Sequence, residues 1–226
     1  MNAQTLRPLA AEFVGVALFV FLGAGSVVVN GITTGGLGPV GIALAHGLAL
    51  GLIVSATLSI SGGHMNPAVT FGLWVAKKVD ARTAGAYVVA QLLGALLGAA
   101  LLPLVFPLPS VRGMSYGTPL LSATTTFWHG VAMEAVLTFF LVSAVFGTIV
   151  SRSAPKIAGW GVGIAYLVGA MVGATSTGGS MNPARAFGPA IVSWTLSGHV
   201  VYWIGPLLGA LVAALLWTRI LLPKDD

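Results

Sequence analysis

Long apolar runs, broken by short joints rich in glycine, proline and polar residues, make up nearly all of this chain. Six runs carry the pattern, at about 9–29, 40–60, 84–105, 127–150, 158–174 and 199–222. As helices rising ~1.5 Å per residue, five of them are long enough to cross the ~30 Å hydrocarbon layer of a membrane, and 158–174 comes close. Lipid offers no partners for backbone N–H and C=O groups, so these segments are expected to be helices, which satisfy those groups internally. Two further apolar stretches, 66–76 and 182–193, are too short to cross and too apolar for surface loops. Each is ~15 Å long as a helix, about half the layer. They read as half-helices that enter from opposite sides and stop near the midplane.

Composition narrows the class. The chain is 57% hydrophobic and 7% charged, against about 25% charged residues in a soluble domain. A water-exposed surface is therefore excluded, and the expected fold class is an all-α membrane protein with six transmembrane helices and two re-entrant half-helices. There is no cysteine, so neither a disulfide framework nor a thiolate metal site is available. Mercurials should fail to block transport through thiols, and an inhibition reversed by added thiol would contradict this. The net charge of +5 comes from scattered basic residues, which suit membrane orientation better than nucleic acid. Arg7, Lys77, Lys78, Arg82, Arg152, Lys156, Arg219 and Lys224 all fall on one side of a six-span topology, and Arg112 is in a loop on the other. The basic side, with both termini, is expected to be cytoplasmic, as in a plasma or inner cell membrane. Met1 to Pro8 is short and lacks a cleavage site after a separate apolar region, so no signal peptide is expected.

The two halves resemble each other. The phrase Ser61-Gly62-Gly63-His64-Met65-Asn66-Pro67-Ala68-Val69-Thr70-Phe71-Gly72 returns 116 residues later as Thr177-Gly178-Gly179-Ser180-Met181-Asn182-Pro183-Ala184-Arg185-Ala186-Phe187-Gly188, identical at eight of twelve positions. Tyr87 pairs similarly with Tyr202, Glu12 with Glu134 and Gly41 with Gly163. A single domain over 1–226 is expected, built from repeats at 1–115 and 116–226. Each repeat has three spans, with the half-helix after the second. An odd number of spans inverts the second repeat relative to the first, and such folds place their sites at the repeat interface near the midplane. Gly94 and Gly98, like Gly205 and Gly209, are spaced to let helices approach closely.

The repeated motif has a definite chemistry. Proline suits the first turn of a helix, and asparagine before it is a good N-cap. Asn66-Pro67-Ala68 and Asn182-Pro183-Ala184 therefore start the half-helices, with their positive ends facing each other at mid-membrane. A neutral molecule can cross by accepting hydrogen bonds from the asparagines, whereas a cation or proton is repelled. Gly62, Gly63, Gly178 and Gly179 permit an extended stretch whose carbonyls line a pore; irregular backbone at this depth needs protein or water beside it. Arg185 and the carboxylates Glu12 and Glu134 lie within the membrane and are functional candidates for that reason. The carboxylates are either a proton relay or acceptors for the loop before each half-helix. His64 either lines the path or braces its loop, while His129 and His199 sit at span starts. No metal-ligand cluster, phosphate loop or nucleophile–base pair can be placed, so neither an enzyme nor a metal or other cofactor is expected.

In these residues the chain resembles the major intrinsic protein family, the aquaporins: two Asn-Pro-Ala motifs, Arg185 after the second, Glu12 and Glu134 in spans one and four, and Gly205-Pro206 in span six. The resemblance implies a homotetramer with a pore in each subunit, favours loop bracing for the carboxylates, and puts Arg185 at an outer constriction. It further places His46, Ala170 and Gly179 beside that arginine. Typical water-selective members have a bulky aromatic in span two and a histidine in span five. His46 with small partners is instead similar to tonoplast members, which implies a wider aperture. Ala186, Ala190 and Tyr202-Trp203 match the water-conducting group rather than the glycerol-conducting one. The expected function is passive conduction of water across a lipid bilayer, excluding protons and ions, with ammonia, urea or hydrogen peroxide as further permeants. The alternatives are a facilitator for small neutral solutes and a proton-coupled carrier.

Overall fold

The computed structural model describes residues 3–223, in which helices joined by short irregular connections make up the fold, with no strand among the described residues. Met1 and Asn2 of the N-terminal segment, and Lys224 among the basic residues named above, lie outside the described residues. The helices are α1 (Ala3–Ile32), α2 (Gly38–Ser61), α3 (Pro67–Val75), α4 (Ala81–Val105), α5 (Leu108–Gly113), α6 (Phe127–Val145), α7 (Trp160–Gly173), α8 (Pro183–Ser193) and α9 (Val201–Leu216). Both α6 and α9 run on as a π-helical turn, to Val150 and Leu221. The two half-helices expected from the sequence are α3 and α8.

Two features differ from the apolar pattern. The connection between α4 and α6 is not a plain loop: it holds α5 and a tight turn at Ser115–Gly117. The fifth span, α7, has only 14 helical residues, below the ~17 needed to cross as a helix. It begins only at Trp160, after Ala158 at φ 49°, and at its other end the Gly173 carbonyl accepts from Thr177 N at 3.0 Å and Gly178 N at 2.9 Å, turning the chain back into the second motif.

In lipid, large apolar side chains gain nothing by facing inward, and close packing of small residues holds helices together. The structure follows this rule. Val40, Leu44, Leu48 and Leu52 of α2, like Val89, Leu93 and Leu97 of α4, are exposed on the outside of the helix bundle. The buried faces carry Gly94, Ala95, Gly98 and Ala99. A Cβ on Gly94 or Gly98 would strike the α1 carbonyls of Phe13 and Ala17, and one on Gly209 would strike that of Ala135 in α6. The α1–α4 and α6–α9 pairs thus pack backbone to backbone. Each half-helix is gripped from the opposite half: α3 packs on α9 beside Ala210, and α8 packs on α4 beside Ala95. This crossing over fixes where the half-helix tips meet.

Candidate functional site

Both tips are capped by their own asparagines. Asn66 Oδ1 accepts from Ala68 N at 2.8 Å, and Asn182 Oδ1 accepts from Ala184 N at 3.0 Å and Arg185 N at 3.3 Å. Each side-chain amide then reaches across to the other half. Asn66 Nδ2 donates to the Met181 carbonyl at 2.8 Å, and Asn182 Nδ2 donates to the Met65 carbonyl at 2.9 Å. The tips therefore face one another in direct contact. An amide nitrogen carries two hydrogens, so each asparagine keeps one N–H for a further acceptor. Pro67, Ala68, Pro183 and Ala184 are buried just inside the helix starts.

The backbone entering each tip is bent against its preference. Met65 and Met181 have φ of 53° and 50°, a region that costs a non-glycine residue about 1–2 kcal/mol. Preceding glycines make the bend feasible, with φ of 86° and 63° at Gly62 and Gly63, and 80° and 58° at Gly178 and Gly179. The strained methionines are held by the carboxylates. Glu12 accepts from Ser61 Oγ (2.6 Å), His64 N (3.0 Å), Met65 N (2.8 Å) and Gln91 Nε2 (2.7 Å). Glu134 accepts from Thr177 Oγ1 (2.7 Å), Ser180 N (2.9 Å) and Met181 N (2.6 Å). Both carboxylates are fully buried, and every partner is a donor. Of the two roles left open by the residues alone, this geometry matches the loop acceptor. Gln91 has no counterpart in the second half, where the matching position is Pro206.

On one side of the tips His46, Ala170, Gly179 and Arg185 come together around a cavity of about 230 Å³, which Gly178 also lines. His46 Nδ1 lies 2.8 Å from the Ile42 carbonyl, which can only accept, so that nitrogen carries the proton. His46 Nε2 then accepts from Arg185 Nε at 3.2 Å and Nη2 at 3.1 Å. The imidazole is thereby held in one neutral tautomer. Arg185 Nη1 donates to the Gly117 carbonyl at 2.8 Å. A guanidinium has five N–H groups, and these three contacts leave donors free for the cavity. The wall opposite is small: Ala170 and Gly179 bring a methyl group and bare backbone.

Gly62, Gly63 and His64 occupy the corresponding turn in the first half, away from this cavity. His64 Nδ1 is 3.1 Å from Thr70 Oγ1, and its ring meets the edge of Tyr87 at 5.0 Å. His129 is exposed. His199 lies two residues before α9, which begins at Val201 and not at 199; it accepts from Trp203 Nε1 at 3.1 Å, and partial burial holds its imidazole below the usual range.

Several contributors escaped the sequence reading. Gly117 supplies a carbonyl from a segment with no apolar signature. Met65 and Met181 supply the acceptors that lock the tips, and their identity in both copies of the motif was the available signal. Tyr166 and Tyr202 brace the second loop, donating to the carbonyls of Ser180 at 2.7 Å and Thr177 at 2.8 Å.

The profile of the family described as major intrinsic protein matches residues 1–217. Aquaporin TIP1-2 of Musa acuminata is 40% identical over 96% of this chain and 87% of its own length. Aquaporin TIP2-2 of Zea mays is 42% identical over 96% and 88%, and Aquaporin TIP4-4 of Zea mays is 41% identical over 100% and 94%. Among solved structures, the aquaglyceroporin from Plasmodium falciparum superposes with a TM-score of 0.82 over 98% of this chain and 99% of that one. Its sequence identity is 24%, so it bears on the fold alone.

Proposed function

This chain belongs to the major intrinsic protein family, and we propose that it is a passive water channel whose path passes Asn66 and Asn182 and a constriction of His46, Ala170, Gly179 and Arg185. It is an integral membrane protein with several spans. The observation that carries the reading is the exchange of amide bonds between Asn66 and Met181 and between Asn182 and Met65. It brings two capped helix N-termini together at mid-membrane, next to an arginine-lined cavity.

The mechanism follows from those groups. Water reaching the constriction accepts hydrogen bonds from the free N–H groups of Arg185, which offset its lost hydration. At the tips it accepts from the spare amide hydrogens of Asn66 and Asn182. Two positive helix ends and a guanidinium oppose any cation on the same route. None of these groups has to change its protonation state, so flux needs no coupling to a gradient. A proton-coupled carrier would need a carboxylate that binds and releases a proton toward the path. Glu12 and Glu134 are fully buried and surrounded by donors, which opposes that alternative.

The small wall at Ala170 and Gly179 supports a second element of the proposal, that ammonia, urea or hydrogen peroxide share the path with water. The proposal also takes the repeats as 1–115 and 116–226, the assembly as a homotetramer, and the side bearing Lys77, Lys78 and Arg152 as the cytoplasm, with both termini there. The relatives are TIP aquaporins, which gives no support to the plasma or inner membrane expected from the sequence. Stopped-flow shrinking of proteoliposomes tests the reading, with water, glycerol, urea and ammonia compared side by side. Osmotic water flux should far exceed that of protein-free vesicles and be indifferent to a pH gradient. Flux no greater than in protein-free vesicles sinks it.

A further inference from the structure

Behind His46, on the side away from the cavity, α1 offers no side chain. A Cβ built on Gly23 would lie 2.5 Å from both Cδ2 and Nε2 of the His46 ring, far inside the ~3.5–4.0 Å of a comfortable carbon contact. The ring is enclosed on its other sides as well. Tyr166 stacks on it at 6.0 Å and 10°, and Phe19 meets it edge-on at 5.9 Å. Ile42 and Arg185 hold its two nitrogens. The remaining open direction is the cavity that His46 lines.

The next residue of α1 performs a matching role. A Cβ on Gly117 would lie 2.7–2.8 Å from Ala24 atoms, so the residue whose carbonyl holds Arg185 packs directly on α1. Nor can α1 easily retreat. Gly94 and Gly98 of α4 lie against its Phe13 and Ala17 carbonyls with no side chain between. The two polar side chains of the constriction are therefore supported from behind by consecutive residues of one pinned helix.

We propose that Gly23 is a specificity-determining residue: its bare backbone lets the His46 ring lean out of the path, and so sets the aperture, although no permeant touches it. The inference rests on the channel reading. A methyl group at 23 drives the ring toward the cavity or off Arg185, and either outcome changes what passes.

The test compares wild type, Gly23→Ala, His46→Ala and the double variant in proteoliposomes. Gly23→Ala should lower water flux by about fivefold or more, the factor that corresponds to the low end of an overpacking cost, and should lower urea flux at least as much. In the His46→Ala background the methyl group enters vacated space. The double variant should therefore conduct like His46→Ala alone, a rescue that a misfolded protein would not show. Wild-type flux from Gly23→Ala overturns the inference, as does an equal loss in the His46→Ala background. Wild-type vesicles no more permeable than protein-free ones would instead remove the channel reading itself, and the inference with it.

Discussion

Replacing Glu134 with glutamine should destabilise the protein by about 3 kcal/mol or more, since a hydrogen bond to a charged group is worth about 1.5–3 kcal/mol and an unsatisfied buried donor costs about 1–3 kcal/mol. The carboxylate accepts from Thr177 Oγ1 and Ser180 N on one oxygen and from Met181 N on the other. A glutamine can keep one of those sides only. Its NH₂ group must face donors on the other, at full burial. Met181 sits at φ 50° and, without its anchor, is expected to relax. Its carbonyl then leaves Asn66 Nδ2, and the contact between the half-helix tips opens. Thermal denaturation in detergent should show a clearly lowered midpoint, and water flux should fall with it. A variant that matched wild type in both would show that the carboxylate does not hold the loop, and would reopen the proton-relay role for it.

Replacing Arg185 with valine should raise cation or proton leak by about a hundredfold while leaving a path for water. A unit charge ~6 Å from the path, at an effective dielectric of about 20, opposes a passing cation by about 2–3 kcal/mol. That barrier disappears with the guanidinium. Valine also frees His46 Nε2 and the Gly117 carbonyl, which Arg185 now holds at 3.1–3.2 Å and 2.8 Å. Two acceptors then face the cavity in place of donors, which favours cations further. The measurement is proton and cation conductance of proteoliposomes beside their osmotic water flux. Conductance unchanged from wild type would remove the exclusion role assigned to Arg185.

Much of the site was legible because it is written in short, contiguous pieces. Asn66-Pro67 and Asn182-Pro183 name a cap and a first helical residue by themselves, and both caps form as expected. The residues beside Arg185 were placed by family resemblance, and all three line its cavity. Gly94 and Gly98 announced a close helix approach that the fold contains. What stayed hidden involves backbone atoms and distant partners. No side-chain pattern marks Gly117 as the residue whose carbonyl receives Arg185, 68 positions away. Nor does a count of apolar residues register that Ala158 turns to φ 49° and leaves α7 to begin at Trp160.

By itself the sequence determined the membrane class, the six apolar spans, the doubled motif and the chemistry of its capping residues, because length, hydropathy and local capping act within a few residues of chain. Only the tertiary structure decided that the two tips exchange amide bonds, that Glu12 and Glu134 meet nothing but donors, and that α1 stands bare behind His46. Those facts depend on atoms about fifty to over a hundred residues apart, or on different faces of packed helices. Their positions are set by backbone-to-backbone packing, in which a glycine matters for the side chain it lacks.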